Sequence, residues 1–160
     1  MTHMHYKGTG KVHSFRGLLA SGEQRKIRIQ GPVGAIAWRI NKLEGFPNTP
    51  GVNDYESTIF VWREEQDSVS ASSSIVDYDD DELLATLYDA TSATTAYASR
   101  GLIVVFDNAL FSRNIFVGHT NTNGANAYNY YIELEEVKVS AAGMAQLSVA
   151  AARRGYVPGT

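Results

Sequence analysis

Cysteine is missing from all 160 residues, which excludes disulfide staples, zinc–thiolate sites and thiol nucleophiles together. Long apolar runs are missing too. The longest, Leu102–Phe106, falls far short of the roughly 18–20 residues that a membrane span requires. The first residues (Met1 to Lys7) have no apolar core of the kind that marks a signal peptide, so export by that route is not expected. Charge of one sign is not in excess: 14 basic against 17 acidic residues leave a net charge of -3, giving no whole-molecule field to hold nucleic acid. Histidine is scarce. His3, His5 and His13 fall in the first 24 residues, only His119 lies further on, and no Gly-x-Ser-x-Gly elbow accompanies them. Nucleophilic catalysis, and enzymatic function generally, are therefore not expected.

What is present describes one globular domain. Hydrophobic residues make up 44% and charged residues 19%, and splitting 160 residues in two would leave each half a marginal core. Alternation of apolar and polar residues predicts strands at Lys11–Leu19, Lys26–Gln30, Ala35–Leu43, Thr58–Glu64, Gly101–Phe106, Asn114–His119 and Tyr128–Val139. The Ser-rich segment Val69–Val76 reads as a further edge strand, and Leu83–Tyr88 fits either a strand or a short helix after an acidic run. The pattern puts Ile36, Trp38, Phe60, Trp62, Val104, Phe106, Ile115, Val117, Ile132 and Leu134 in the sheet core. Within the last strand the apolar parity flips after Glu136 to Val137 and Val139, which suggests a bulge or a passage between two packing environments. Asn123-Gly124 is a hairpin signal. Ser140–Arg153 changes period and reads as a short helix or tail, closed by Gly155 and Pro158.

Few residues offer chemistry. The run Asp77-Tyr78-Asp79-Asp80-Asp81-Glu82 is the best metal candidate, with Asp77, Asp79 and Asp81 as possible oxygen ligands, but the glycine of a calcium loop is missing. No metal and no cofactor are expected. Glu135 and Glu136 are strand neighbours and point to opposite faces, so they cannot form a carboxylate dyad by themselves. Arg25, Lys26 and Arg28 cluster, as do Arg153 and Arg154, at a density that suits an acidic neighbouring subunit better than nucleic acid. Tyr128, Tyr130 and Tyr131 invite a sugar-stacking reading, yet alternation sends Tyr130 and Tyr131 to opposite sides.

The segments "EQRKIRIQ", "FPNTPG", "STIFVWREEQ", "VVFDNALFSRNIFVGHTN" and "NYYIELEEVKVS", spread over residues 25–139, resemble small β-rich virion proteins of marine bacteriophages. The resemblance implies a structural role, forming or decorating a capsid in the virion after assembly in the host cytoplasm. Its implied partners are further copies of the chain and other virion proteins. Regularly spaced strands independently imply an all-β, jelly-roll-like antiparallel sandwich of about eight strands. The expected organisation is an N-terminal arm over 1–24, a sandwich over 25–139 and a C-terminal helix or tail over 140–160. Weak periodicity at both ends predicts that Tyr6, Lys11, Phe15, Met144, Leu147 and Tyr156 pack on neighbouring subunits. The alternative function is a carbohydrate- or receptor-binding module of a tail fibre.

Overall fold

The computed structural model describes residues 7–29, 36–51, 54–92, 98–106 and 109–154. Eight strands and one helix follow in order: β1 (Gly8–Leu19), β2 (Gln24–Ile27), β3 (Ile36–Pro47), β4 (Tyr55–Trp62), β5 (Leu83–Thr91), β6 (Ala98–Val105), β7 (Ile115–Asn121), β8 (Tyr128–Lys138) and α1 (Ala141–Arg154). They form a three-stranded sheet, β1-β8-β3, over a five-stranded sheet, β2-β7-β4-β5-β6. Every pairing is antiparallel. The order is that of one long hairpin rolled up on itself. β1 pairs with β8, β2 with β7 and β4 with β5, while Trp38 of β3 exchanges backbone hydrogen bonds with Phe111 just beyond β6. The result is an antiparallel sandwich of eight strands, as the strand spacing predicts, and it departs from a full jelly roll in that β6 pairs with β5 in the larger sheet and not with β3.

The main core lies between the sheets. Trp38, Ile40 and Leu43 of β3 and Tyr128, Tyr130, Ile132 and Leu134 of β8 meet Ile59 and Val61 of β4, Leu84 and Leu87 of β5, and Ile115 and Val117 of β7. Two irregularities fit these residues to one layer. β3 carries one extra residue between Ile40 and Lys42, so apolar side chains three apart in sequence both face inward. An extra residue at the start of β5 turns Leu84 and Ala85 into the core together.

Several expectations need correction. The expected arm over 1–24 is, in its described residues, part of the sandwich: β1, which contains the expected strand Lys11–Leu19, runs along β8 through nine paired positions, and β2, from Gln24, closes the edge of the larger sheet. Weak periodicity misleads there because β1 is an edge strand, most of whose side chains face water. The expected strand at Val69–Val76 is irregular covering chain, and Leu83–Tyr88 resolves as β-strand. Asn123-Gly124 makes a tight turn, with φ of +106° at Gly124, but it carries the chain from one sheet to the other instead of closing a two-stranded ladder. Val104 is exposed, on the outer face of the last strand of its sheet. Phe60 and Trp62 are buried, as expected, but on the outer face of the five-stranded sheet; the side chains facing the main core are Ile59 and Val61.

The parity flip in β8 has a packing cause. Its pairing with β3 continues unshifted through Glu136, Val137 and Lys138. Val137 and Ala37 face outward, where Leu110, Met144 and Leu147 cover them. The helix that supplies two of these is capped by Ser140, whose hydroxyl accepts the Gly143 amide at 3.1 Å.

Candidate functional site

Where the sequence hints at chemistry, the structure supplies mostly architecture. The carboxylates of the acidic run hold their own turn: Asp77 accepts the Asp79 amide at 2.9 Å and Asp80 accepts the Glu82 amide at 2.9 Å. Among the described residues no group of three or more acidic or histidine side chains is placed to hold a metal ion, so Asp77, Asp79 and Asp81 do not converge on one. Arg25 donates to the Leu18 carbonyl at 3.0 Å and to Glu23 at 2.9 Å, tying the β1–β2 turn together. Lys26 sits over the Phe116 ring, 5.6 Å from its centre.

His119 does have a serine beside it. Its Nε2 lies 3.1 Å from Ser57 Oγ, and its Nδ1 lies 3.1 Å from the Leu19 carbonyl. That carbonyl can only accept, so Nδ1 carries the proton and Nε2 accepts from Ser57. Burial holds the imidazole below its ordinary range, against the opposing effect of hydrogen bonds to the Ala20 and Leu19 carbonyls. The arrangement resembles a nucleophile–base pair, but Ser57 is 1% exposed and His119 0%, so no substrate reaches the hydroxyl in the folded state. The pair belongs to a polar cluster that locks one end of the sandwich. Tyr128 and Tyr55, from opposite sheets, both donate to Asp89 Oδ2, at 2.6 and 3.0 Å. Burial first, then the bond to Asp89, push the Tyr128 phenol well above its ordinary range. The proximity of Ser57 to His119 was not legible in the sequence because it arises from the β4–β7 register, which sets Ile59 opposite His119.

The expected interface residues are spread through one domain. Phe15 packs against the main core, and Met144 and Leu147 pack on Ala37, Leu110 and Val137. Lys11 is exposed on β1, and Tyr6 and Tyr156 lie outside the described residues.

What the molecule leaves exposed and apolar is concentrated elsewhere. The segment 63–82 crosses the outer face of the five-stranded sheet, pinned by Gln66 to Gln24 at 2.5 and 3.1 Å and by Ser21 to the Ala71 carbonyl at 2.6 Å. It roofs the β4–β7 half: Val69 packs on the stacked rings of Phe60 and Trp62, whose centres are 4.9 Å apart. Towards β6 the roof thins. Leu102 is 62% exposed there, with Val76, Tyr78, Ile103 and Val104 also open to solvent. A shallow hollow among Thr58, Val76, Tyr78, Thr86, Tyr88 and Leu102 marks this face. At Ile103 the surface turns the corner of the sandwich into a groove of about 750 Å³, whose lining includes Leu18, Phe46, Leu87, Tyr131, Arg16 and Glu44.

The groove carries the one outward tyrosine of the β8 trio. Tyr131 donates to Glu133 at 2.7 Å, and the Lys42 ammonium lies 5.8 Å from its ring centre. Tyr128 and Tyr130 point into the core, as alternation predicts. Seven of the exposed large hydrophobic residues thus flank β6: Val76, Tyr78, Leu102 and Val104 at the hollow, Leu18 and Phe46 at the groove, and Ile103 at both.

No family model, curated protein or solved structure matches this chain. Its function is therefore argued from its own surfaces. Among the described residues, no helix is long and apolar enough to cross a membrane.

Proposed function

We propose that this chain is a structural subunit of a bacteriophage virion, one that forms or decorates the capsid through subunit contacts and catalyses nothing. The observation that carries the reading is the apolar surface flanking β6. A domain of this size gains nothing in solution from holding Leu102, Val104 and Val76 on one side of β6, and Ile103 and Phe46 at the groove beyond it, in water, and exposed apolar surface of this kind marks interaction sites. The sandwich is a rigid carrier for such a surface, and the likeness of residues 25–139 to phage virion proteins supplies the setting. Support for assembly thus rests on the surface around β6 and no longer on free termini, since β1 and α1 pack on their own domain. Electron microscopy of the purified protein, with immunogold labelling of its source particles, is the test. Ordered assemblies or labelled shells are expected; a chain that stays dispersed and never labels a particle would remove the reading.

A second reading, a glycan-binding module of a tail fibre, is favoured by the groove alone. Phe46 and Tyr131 offer ring surface there, and Arg16, Glu44 and Asn129 offer polar partners. It predicts that soluble glycans raise the melting temperature of an unassembled protein, which the assembly reading does not.

A further inference from the structure

We infer that Asn123 is a site of spontaneous covalent modification, at which the Gly124 backbone nitrogen displaces the side-chain amide and leaves residue 123 as aspartate and isoaspartate. The reaction is independent of assembly. It lies in the connection between β7 and β8, where the sequence sets a thermolabile asparagine directly before a glycine.

The step needs only the chain and water. The Gly124 nitrogen gives up its proton and attacks Cγ of Asn123. The N–Cγ bond forms, the Cγ–Nδ2 bond breaks, and Nδ2 takes that proton and leaves as ammonia. A succinimide ring results, and water opens it. Breaking the Cγ–N bond gives aspartate; breaking the bond from that nitrogen to the main-chain carbonyl carbon gives isoaspartate. Nothing is oxidised or reduced, and either product adds one carboxylate to a chain of net charge -3.

A folded asparagine can take this path only if three conditions hold, and Asn123 meets them all. The attacking nitrogen must be free: among the described residues the Gly124 amide has no hydrogen-bond partner. The side chain must be free to turn onto it. The Asn123 carboxamide has no partner either, and only the main-chain amide of the residue is held, donating to Asn121 Oδ1 at 3.1 Å. Lastly, the ring must have room. Gly124 has no side chain to obstruct it and stands at φ +106°; chain neighbours aside, only Asn126 Nδ2, at 3.7 Å, would lie within 4 Å of an added Cβ. Asn123 and Gly124 are both exposed, so water reaches the ring.

Other asparagines of the domain fail these conditions. Asn121, two residues earlier, is 1% exposed. Its Oδ1 accepts the amides of Glu56 at 3.2 Å and Asn123 at 3.1 Å, and its Nδ2 donates to the Asn126 carbonyl at 3.3 Å. The nitrogen that would attack it, that of Thr122, donates to the Glu56 carbonyl at 2.9 Å. Asn114 Oδ1 accepts the Ile29 amide at 3.0 Å, and Asn129 Nδ2 donates to the Phe46 carbonyl at 3.3 Å. Isoaspartate at 123 would add one main-chain carbon between the two loop groups that Asn121 holds, the amide of residue 123 and the carbonyl of Asn126.

Peptide mapping by mass spectrometry tests this on the full chain, held in mildly alkaline buffer made with heavy-oxygen water. Residue 123 should exchange its amide for an acid carrying one heavy oxygen atom and divide between aspartate and isoaspartate. Asn114, Asn121 and Asn129 should keep their amides. Asn123→Gln should stay unmodified over the same period, because its longer side chain would have to close a larger ring. The chain unfolded in guanidinium sets the scale. A site that reacted only after unfolding would be slower in the native chain by the unfolding equilibrium, on the order of 1000-fold or more. Asn123 should instead react in the native chain within about tenfold of its unfolded rate. If residue 123 kept its amide in the native chain while losing it in guanidinium, or if Asn121 were converted in its place, the inference would be wrong.

Discussion

The outer face of the five-stranded sheet is two surfaces built from one alternation. On its β4–β7 half, Phe60 and Trp62 stack under Val69 and are buried; on its β6 half, Leu102 and Val104 stand at equivalent outward positions and are not. Their strand patterns read the same in sequence. The difference is made by the segment 63–82, which covers one half and thins before the other. An outward apolar residue is therefore core where a loop lies over it and interface where none does, and mutation can tell the two apart.

The largest contrast should come from truncating one residue on each half. Trp62→Ala removes a stacked, nine-tenths buried indole and should cost about 3–5 kcal/mol in denaturant unfolding. Leu102→Ala, at monomeric dilution, should cost under about 0.5 kcal/mol. Equal costs would mean that the roof ends elsewhere than described.

Glycines sharpen the same line. The Trp62 ring lies over Gly118, where an added Cβ would sit 2.5 Å from the indole, so Gly118→Ala should cost about 1–3 kcal/mol through overpacking. Around Gly101 an added Cβ meets nothing within 4 Å, and the only penalty of Gly101→Ala is its left-handed backbone at φ +56°, about 1 kcal/mol. Combining Gly118→Ala with Trp62→Leu should recover part of the first loss, as clash relief requires; no such change should rescue Gly101→Ala.

A smaller effect separates the polar end of the sandwich from the apolar rest. Burial lowers the His119 pKa in the folded chain, so the unfolded chain takes up the proton first as pH falls. His119 therefore costs no stability above about pH 6.5, the unfolded value, and an increasing amount as pH drops below it towards the folded value. One group can contribute at most about 1.4 kcal/mol per pH unit there. His119→Gln should flatten that slope below about pH 6.5 while lowering stability throughout; an unchanged slope would place the titration on another group.

Much of this fold is legible from periodicity. The strands around Trp38, Phe60, Ile115 and Tyr130 and the all-β class follow from alternation, and its change of period after Ser140 marks the helix there without separating it from a tail. Periodicity gives which residues share a face, but not which face meets the other sheet. On β4, where both faces are buried, Phe60 and Trp62 fit the main core as well by pattern as Ile59 and Val61 do. The parity break at Val137 is visible in sequence, but its cause, a helix packed on the far side of β8, depends on tertiary contact. The exposed surface around β6 is least legible of all. Val104 reads as core until the strand order puts β6 at the edge of its sheet with only a partial roof. Weak alternation at the termini points to interface residues there, yet it marks edge-strand and helix surface instead of free arms.

The central claim is that the unroofed half of the sheet is where the molecule meets its partner. Thermal melting over a hundredfold range of protein concentration tests it most directly, because association of the native state alone makes the melting temperature depend on concentration. The wild-type chain should melt higher as concentration rises, and Leu102→Asp should melt at one temperature throughout. A wild-type melting temperature that does not move across that range, in a chain that also fails to label its source particles, would contradict the account.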